Sequence, residues 1–207
     1  MKLLHALLLV FFVSLNAFAV DLVIDDAMIK KAEEKYGMFA KNRFIAWRDE
    51  LIIGLKDDSE MRKINVVNTW FNEIRYMSDQ KNYNQSDYWA TPYEFVGRDA
   101  GDCEDYVIAK YYTLKALGVD INRMKFTYVV YRDRRGKEIS HMVLSYFKVP
   151  NPKSQEDILI LDNNNRLVLP ASKRPDIVKV VGMINGDTGA KSQKWTQLEL
   201  DMKRKKL

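Results

Sequence analysis

Two residues of this chain, Cys103 and His141, carry side chains suited to nucleophilic catalysis. Cys103 is the only cysteine among the 207 residues. Asp102 is a good N-cap and Gly118 a typical helix stop, so Cys103 is predicted to lie in the first turn of a helix. Backbone N–H groups and the helix dipole favour a thiolate at that position, and the thiolate is the nucleophilic form of cysteine.

His141 is predicted to lie at the start of one strand and Asp162 at the end of the next. If these strands pair antiparallel, the imidazole and the carboxylate come side by side. An imidazole can take the proton of a nearby thiol, and a carboxylate on its other nitrogen fixes the tautomer and stabilises the imidazolium. Asn163 is an alternative partner, but it points to the opposite face of the strand, so we favour Asp162. Cys103, His141 and Asp162 are therefore the candidate triad.

Each member of this triad also has a structural interpretation. Cys103 falls on the same helical stripe as Val107 and Tyr111, as a buried structural thiol would. His141 is consistent with a local hydrogen bond, and Asp162 with a turn at the end of its strand. The position of the lone thiol and of the imidazole at the ends of elements favours catalysis.

Three carboxylates cluster around the cysteine, on Asp102, Glu104 and Asp105. Calcium binds six to eight oxygen atoms, and carboxylates are its typical protein ligands. Carboxylates are also favoured in the first turn of any helix, where they cap free N–H groups and complement the dipole. Composition alone favours capping over metal binding.

The elements that would position these residues follow from apolar spacing. Three helices are predicted first, two of them ending at Gly37 and Gly54 and the third beginning after Ser59. Residues 77–101 are polar but rich in aromatic side chains, which predicts a long ordered loop. After the helix of Cys103, alternating apolar residues predict strands at residues 125–132, 139–147, 157–162, 166–169 and 178–184. We therefore expect one α+β domain over residues 20–207, with the cysteine-bearing helix packed on an antiparallel β-sheet.

The first residues have the pattern of a secretory signal. Lys2 precedes an apolar run over residues 3–13, and Ala17-Phe18-Ala19 offers the small residues that a signal peptidase reads. This predicts a signal peptide over residues 1–19 and export of the rest. An uncleaved anchor is the alternative, but the run is far shorter than the roughly 20 apolar residues that span a bilayer. No later segment is apolar enough, so we do not expect an integral membrane protein.

The charge balance bears on possible partners. Of the 33 Lys and Arg residues, one lies in the predicted signal peptide and four lie in the tail at residues 203–206, so the remainder balances the 28 Asp and Glu residues. Nucleic-acid binding needs a larger basic surface, and we exclude it. The basic tail is predicted to be a solvated, frayed end.

Several of these residues together resemble a known family. Trp89-Ala-Thr-Pro92-x-Glu94, Gly101-Asp102-Cys103-Glu104-Asp105 and Leu161-Asp162-Asn163, with His141 on a strand between them, resemble the bacterial transglutaminase-like cysteine proteases of the LapG type. The resemblance covers roughly residues 60 to 185. It implies a papain- or transglutaminase-like fold, a periplasmic location, the triad named above, and Ca²⁺ bound by Asp102 and Glu104. Asp105 and Asn122 are further candidate ligands.

The resemblance also implies a biological role. Members of this family cleave the N-terminal region of a large surface adhesin at a di-alanine site, which releases cells from a biofilm. An inner-membrane cyclic-di-GMP receptor holds them inactive. Two other interpretations stay open: a transglutaminase or amidase that passes the acyl group to another acceptor, and a non-catalytic calcium-binding interaction module. The second donor of an oxyanion hole is open between Trp89 and Gln85.

Overall fold

Three helices form the N-terminal part of the chain, where their caps predict them. A computed structural model describes residues 21–186 and 192–207, so the predicted signal peptide, residues 1–19, lies outside the described residues. Helix α1 begins after Asp25, whose carboxylate accepts the Met28 N–H at 2.8 Å, and ends at Gly37, which has φ +84°. The helices are α1 Asp26–Tyr36, α2 Met38–Ala46 with a π-helical continuation Trp47–Ile53, and α3 Glu60–Phe71.

The segment expected to be a long loop contains two short helices, so that prediction is wrong in part. Helix α5, Pro92–Arg98, has a capping box at its start. The Thr91 hydroxyl accepts the Glu94 N–H and the Glu94 carboxylate accepts the Thr91 N–H, both at 3.0 Å. Pro92 occupies the first helical position. The elements of this segment are strand β1 Arg75–Tyr76, helix α4 Asp79–Asn82, helix α5 Pro92–Arg98 and strand β2 Ala100–Gly101.

Helix α6, Cys103–Ala116, runs through the centre of the protein. Every residue from Asp105 to Leu114 is buried, which is the mark of a helix surrounded by other elements on all sides. It packs against α3, α5 and the sheet. Asp102 is its N-cap residue, and Gly118, just past its end, has φ +80°, so the predicted start and stop are confirmed.

The C-terminal half is a five-stranded antiparallel sheet, which confirms the α+β class. Its strands are β3 Met124–Arg132, β4 Glu138–Phe147, β5 Ile158–Asp162, β6 Asn165–Pro170 and β7 Ile177–Asn185. They lie in the order β6-β5-β4-β3-β7. Strands β4 and β5 pair antiparallel, with Leu144 opposite Leu161. This register brings the first half of β4 beside the end of β5, as the sequence predicted.

The C-terminal tail is folded onto the protein, and the prediction of a frayed, solvated end is wrong. Helix α7, Gln193–Lys203, precedes it and buries Trp195 against the rings of Tyr112 and Phe126. The Lys205 ammonium pairs with Asp25 at 2.7 Å, and Leu207 is buried. Sequence patterning gave no sign of this because the tail's contacts come from α1 and α5, which are distant in the chain. Among the described residues, no helix combines the length and the apolar character needed to cross a bilayer.

Substitution of Leu207 by alanine should lower the free energy of unfolding. The side chain is 3% exposed, and removing a buried Leu side chain costs about 2 kcal/mol where the surroundings can relax. Leu200→Ala, on the exposed side of α7 at 42% exposure, is the matched control and should change stability by less than about 0.5 kcal/mol. Chemical denaturation followed by circular dichroism measures both; equal effects of the two variants would contradict the docked tail.

Candidate active site

Cys103 is the first residue of α6, and its sulfur lies against β4. The Met142 backbone N–H hydrogen-bonds the sulfur from the strand side. The thiol itself donates to the Glu104 carboxylate, with Sγ and Oε2 3.0 Å apart. The contact with Met142 brings the start of α6 beside the residue that follows His141.

The structure places His141 and Asp162 side by side. The Nε2 atom of His141 is 2.8 Å from Oδ1 of Asp162, and both side chains are almost fully buried. This pairing leaves Nδ1 as the ring nitrogen available to another partner. Asn163, the alternative to Asp162, makes no such contact among the described residues.

The thiol and the imidazole share a cleft. Cys103, Ser140 and His141 line both of two cavities, of about 330 and 450 Å³. No hydrogen bond joins Cys103 to His141 among the described contacts, because the thiol is turned towards Glu104. Catalytic hydrogen bonds are often formed only when substrate binds, so this arrangement is compatible with a nucleophile and base that meet later.

Asp162 is held by more than His141. The Arg174 guanidinium donates to its other oxygen, with Nη2 and Oδ2 2.6 Å apart, and the Asn164 N–H donates to Oδ1 at 2.9 Å. Burial raises the pKa of Asp162, but the hydrogen bond and charge of His141 and the charge of Arg174 outweigh it and hold the pKa below its usual range. The carboxylate is therefore ionised and has one orientation.

The end of β5 is also anchored from the helical side. The Asn72 side chain donates to the Asp162 carbonyl at 2.8 Å and to the Asn165 carbonyl at 3.1 Å. The buried Lys110 ammonium of α6 donates in turn to Asn72 Oδ1 at 2.7 Å. Burial lowers the pKa of Lys110 to about 7. Sequence reasoning missed Arg174, Asn72 and Lys110, because nothing in their local pattern distinguishes them from residues of ordinary turns and helices.

Carboxylates converge on the start of α6 from two segments. Asp102, Glu104 and Asp105 lie where the sequence predicted, and α4 and the loop after it add Asp79 and Asp87. Within each of the groups Asp79, Asp102, Asp105 and Asp79, Asp87, Glu104, one ligand atom per residue lies within 4.8 Å of the others. Asp79 and Asp87 were missed because they belong to the segment expected to be a loop.

The electrostatics of this cluster fit a divalent cation. Burial, followed by repulsion from Glu104 and Asp105, raises the pKa of Asp102 to about 9, and burial raises that of Asp79 to about 6. The Oδ1 atoms of Asp79 and Asp102 are buried and have no hydrogen-bond partner. Buried, unpaired carboxylate oxygens are costly unless a cation binds them. Asp105 differs, since its two oxygens accept the Ala90 and Asp102 N–H groups, as capping predicts.

Asn122 lies away from this cluster, which corrects its place among the candidate ligands. Its side chain donates to Asp120 at 3.0 Å, in a short 3₁₀ turn beyond the C-terminal end of α6. Helix α6 has 14 residues and spans about 20 Å at 1.5 Å per residue. The whole helix therefore separates Asn122 from the carboxylates at its start.

The same carboxylates act on the thiol. Burial raises the pKa of Cys103, and the charge and hydrogen bond of Glu104 and the charge of Asp102 raise it further. The Met142 N–H opposes this shift without overcoming it. The helix dipole predicted a lowered pKa for Cys103. Because burial and the neighbouring carboxylates raise that pKa instead, the thiol stays protonated at neutral pH.

The two candidate oxyanion donors, Trp89 and Gln85, lie in different surroundings. Trp89 is buried in the wall of the smaller cavity beside Cys103 and packs edge-on against Trp195, with ring centroids 6.3 Å apart. Gln85 is exposed and lines neither cavity. Of the two, only Trp89 is near the thiol.

Comparisons with known proteins find a family and solved structures to which this chain is similar. The model of the family described as bacterial transglutaminase-like cysteine proteinase (BTLCP) matches residues 49–202. LapG of Legionella pneumophila is 34% identical, with a TM-score of 0.72, covering 89% of this chain and 99% of that one. EGTA-treated LapG gives the same identity and TM-score with 89% and 100% coverage, and calcium-bound LapG gives 34% identity and 0.65 with 88% and 99%. No curated protein is significantly similar to the chain.

Substitution of Glu104 by glutamine should make the thiol more reactive in the presence of EGTA. The substitution removes a neighbouring negative charge, so the pKa of Cys103 falls and more thiolate exists at any pH below it. The thiolate fraction rises about tenfold for each unit by which the pKa falls, and because a thiolate of lower pKa is a weaker nucleophile, iodoacetamide alkylation should accelerate by less than that factor, with its pH profile displaced to lower pH. Glu34→Gln, an equal change on the exposed face of α1, should leave the rate unchanged. An unaltered rate for Glu104→Gln would show that this carboxylate does not control the thiol.

Proposed function

The chain belongs to the family of bacterial transglutaminase-like cysteine proteinases, and from this premise we propose that it is an endopeptidase whose triad is Cys103, His141 and Asp162. The observation that carries the proposal is the buried His141–Asp162 pair in the wall of the cleft that contains the only thiol. An imidazole whose Nε2–H is held by the Asp162 carboxylate presents Nδ1 as a base. Cys103 and His141, the single cysteine and the single histidine of the described residues, thereby act in one reaction.

The proposed reaction is acyl transfer to water. His141 takes the thiol proton at Nδ1, and Sγ of Cys103 attacks the carbonyl carbon of the scissile peptide bond. The Cys103 backbone N–H donates to the developing oxyanion. As the C–N bond breaks, the imidazolium returns its proton to the leaving amine; water, deprotonated by His141, then hydrolyses the thioester and restores the thiol. Asp162, held by Arg174, stabilises the imidazolium in both halves.

We also propose that the enzyme binds Ca²⁺ at the carboxylate cluster. Asp79, Asp102 and Glu104 are the main ligands, Asp87 lies close enough to contribute, and Asp105 is the weaker candidate because it caps the helix. Bound calcium would supply positive charge beside the sulfur and occupy the Glu104 oxygens that otherwise accept the thiol hydrogen bond. The unpaired buried oxygens of Asp79 and Asp102 support this proposal, as does the existence of a calcium-bound LapG.

The proposed substrate is the N-terminal region of a large surface adhesin, cleaved at a di-alanine site in the periplasm. Cleavage would release cells from a biofilm, and an inner-membrane cyclic-di-GMP receptor would hold the enzyme inactive. Family membership and the signal-peptide pattern of residues 1–19 support this role.

Substitutions in the triad should stop cleavage without unfolding the protein. Cys103→Ala and His141→Ala should leave no measurable cutting of an adhesin N-terminal fragment, because the nucleophile or its base is gone. Asp162→Asn should lower kcat by about 10²–10⁴-fold, whereas Asn163→Ala, its neighbour, should retain activity. Mass spectrometry of the products distinguishes hydrolysis from crosslinking. Undiminished cutting by Cys103→Ala, or crosslinked products alone, would contradict the proposal.

Calcium should make Cys103 reactive even when no substrate is present. Adding Ca²⁺ to the EGTA-treated protein should accelerate alkylation of Cys103, and renewed chelation should reverse the effect, since cation binding lowers the pKa of a thiol. The double variant Asp79→Asn/Asp102→Asn should lose this response. If calcium does not change the alkylation rate of Cys103 in the wild-type protein, the proposed role of the metal is wrong. The cleavage assays would then test the triad by themselves.

A further inference from the structure

The two cavities that Cys103 lines differ in chemical character. The smaller cavity has a largely aromatic and aliphatic wall, formed by Trp89, Tyr128, Met142 and Val181. The larger one is bounded by the β3–β4 turn, including Arg134 and Arg135. An extended peptide that crosses Cys103 can place one flank in each cavity, since Cys103 and His141 line both.

The two arginines of this turn lack anionic partners among the described residues. Arg132 pairs with Glu138 at 2.7 Å, so that charge is matched. Asp133, the one acid in the cavity wall, accepts the backbone N–H groups of Arg135 and Lys137 at 2.8 and 2.9 Å and is thereby built into the turn. The guanidinium groups of Arg134 and Arg135 form no ion pair there and are exposed.

Hydrogen bonds hold the backbone of the turn from which the side chains of the two arginines extend. The Asp133 N–H donates to the Lys137 carbonyl and the Gly136 N–H to the Asp133 carbonyl, both at 2.9 Å. Gly136 has φ +80°, a conformation that glycine adopts readily. From this turn, β4 runs directly to His141. Arg135 lies six residues before His141, and only the part from Glu138 onwards is strand, so the two residues are at most about 20 Å apart and an extended substrate spans that distance with about six residues at most.

We propose that Arg134 and Arg135 select substrates with an acidic side chain on one flank of the scissile bond, within about six residues of it. This inference rests on the proposed protease function and adds a specificity to it. Guanidinium groups bind carboxylates through paired, charge-assisted hydrogen bonds. The opposite flank meets apolar side chains, together with Glu104 and with an Asp87 that already pairs with Lys194. Charge complementarity therefore places the acidic residue at the turn.

The test is an acid scan of the adhesin fragment that serves as substrate above. Asp is placed singly at each of about six positions on either side of the scissile bond, with Asn as the neutral comparison, and kcat/KM is measured for each peptide. For the wild-type enzyme, Asp on one flank should raise kcat/KM about tenfold, mainly through KM, and the gain should shrink at high salt.

Variants assign the effect to the turn. Arg134→Ala/Arg135→Ala should lose the preference for Asp, so that kcat/KM for each Asp peptide falls to that of its Asn counterpart measured with the same variant. Arg134→Glu/Arg135→Glu should favour Lys over Asp at the same positions. Lys137→Ala, a cation of the same turn outside the cavity wall, should keep the preference for Asp.

Two negative outcomes are distinct. Cleavage by the wild-type enzyme with no preference for Asp, or with a preference that survives in Arg134→Ala/Arg135→Ala, would overturn this inference and leave the protease intact. Failure of the wild-type enzyme to cut any peptide, the Asn series included, would overturn the proposed function and this specificity with it.

Discussion

Negative charge gathered at the start of α6 is the constraint on which the active site depends. Asp79, Asp102, Glu104 and Asp105 crowd around the first turn of a buried helix, where burial and repulsion raise the pKa values of Asp79, Asp102 and Asp105. One oxygen each of Asp79 and Asp102 is left without a hydrogen-bond partner. The same charge keeps the Cys103 thiol protonated and turned towards Glu104. A bound cation would relieve both conditions at once. At the proposed calcium site, metal binding and the nucleophilicity of Cys103 would be coupled through electrostatics.

The acid–base half of the site is fixed by the fold instead. Antiparallel pairing of β4 and β5 sets His141 beside Asp162, Arg174 holds the far oxygen of that carboxylate, and Asn72 holds its backbone. These contacts are buried and hydrogen-bonded on every side, which gives the imidazole one orientation. The site therefore combines a base that the fold holds in place with a thiol whose protonation depends on the nearby carboxylates.

Much of this arrangement could be predicted from sequence, and the missing part has a common cause. Caps and apolar periodicity located α1, α3 and α6 and the five strands of the sheet. Cys103 and His141 stood out by rarity and by their predicted positions at element ends, and Asp162 by its position at the end of the neighbouring strand. Arg174, Asn72, Asp79 and the docking of Leu207 depend on contacts between segments that are far apart in the chain. No local pattern encodes such contacts. The direction of the thiol pKa was wrong because burial of Cys103, which distant segments provide, and the charges of its neighbours Glu104 and Asp102 outweigh the local helix dipole.

The central claim is that Cys103 is the nucleophile of a covalent mechanism, and an acid-quenched turnover tests it most directly. Enzyme and adhesin fragment are mixed in calcium, quenched within one turnover, and examined by intact-mass and peptide mass spectrometry. The account predicts an adduct of the N-terminal product on Cys103, joined as a thioester with loss of water, that decays as free product forms. Efficient cleavage with no adduct on Cys103 at any time, together with continued cleavage when Cys103 is replaced by alanine, would contradict it.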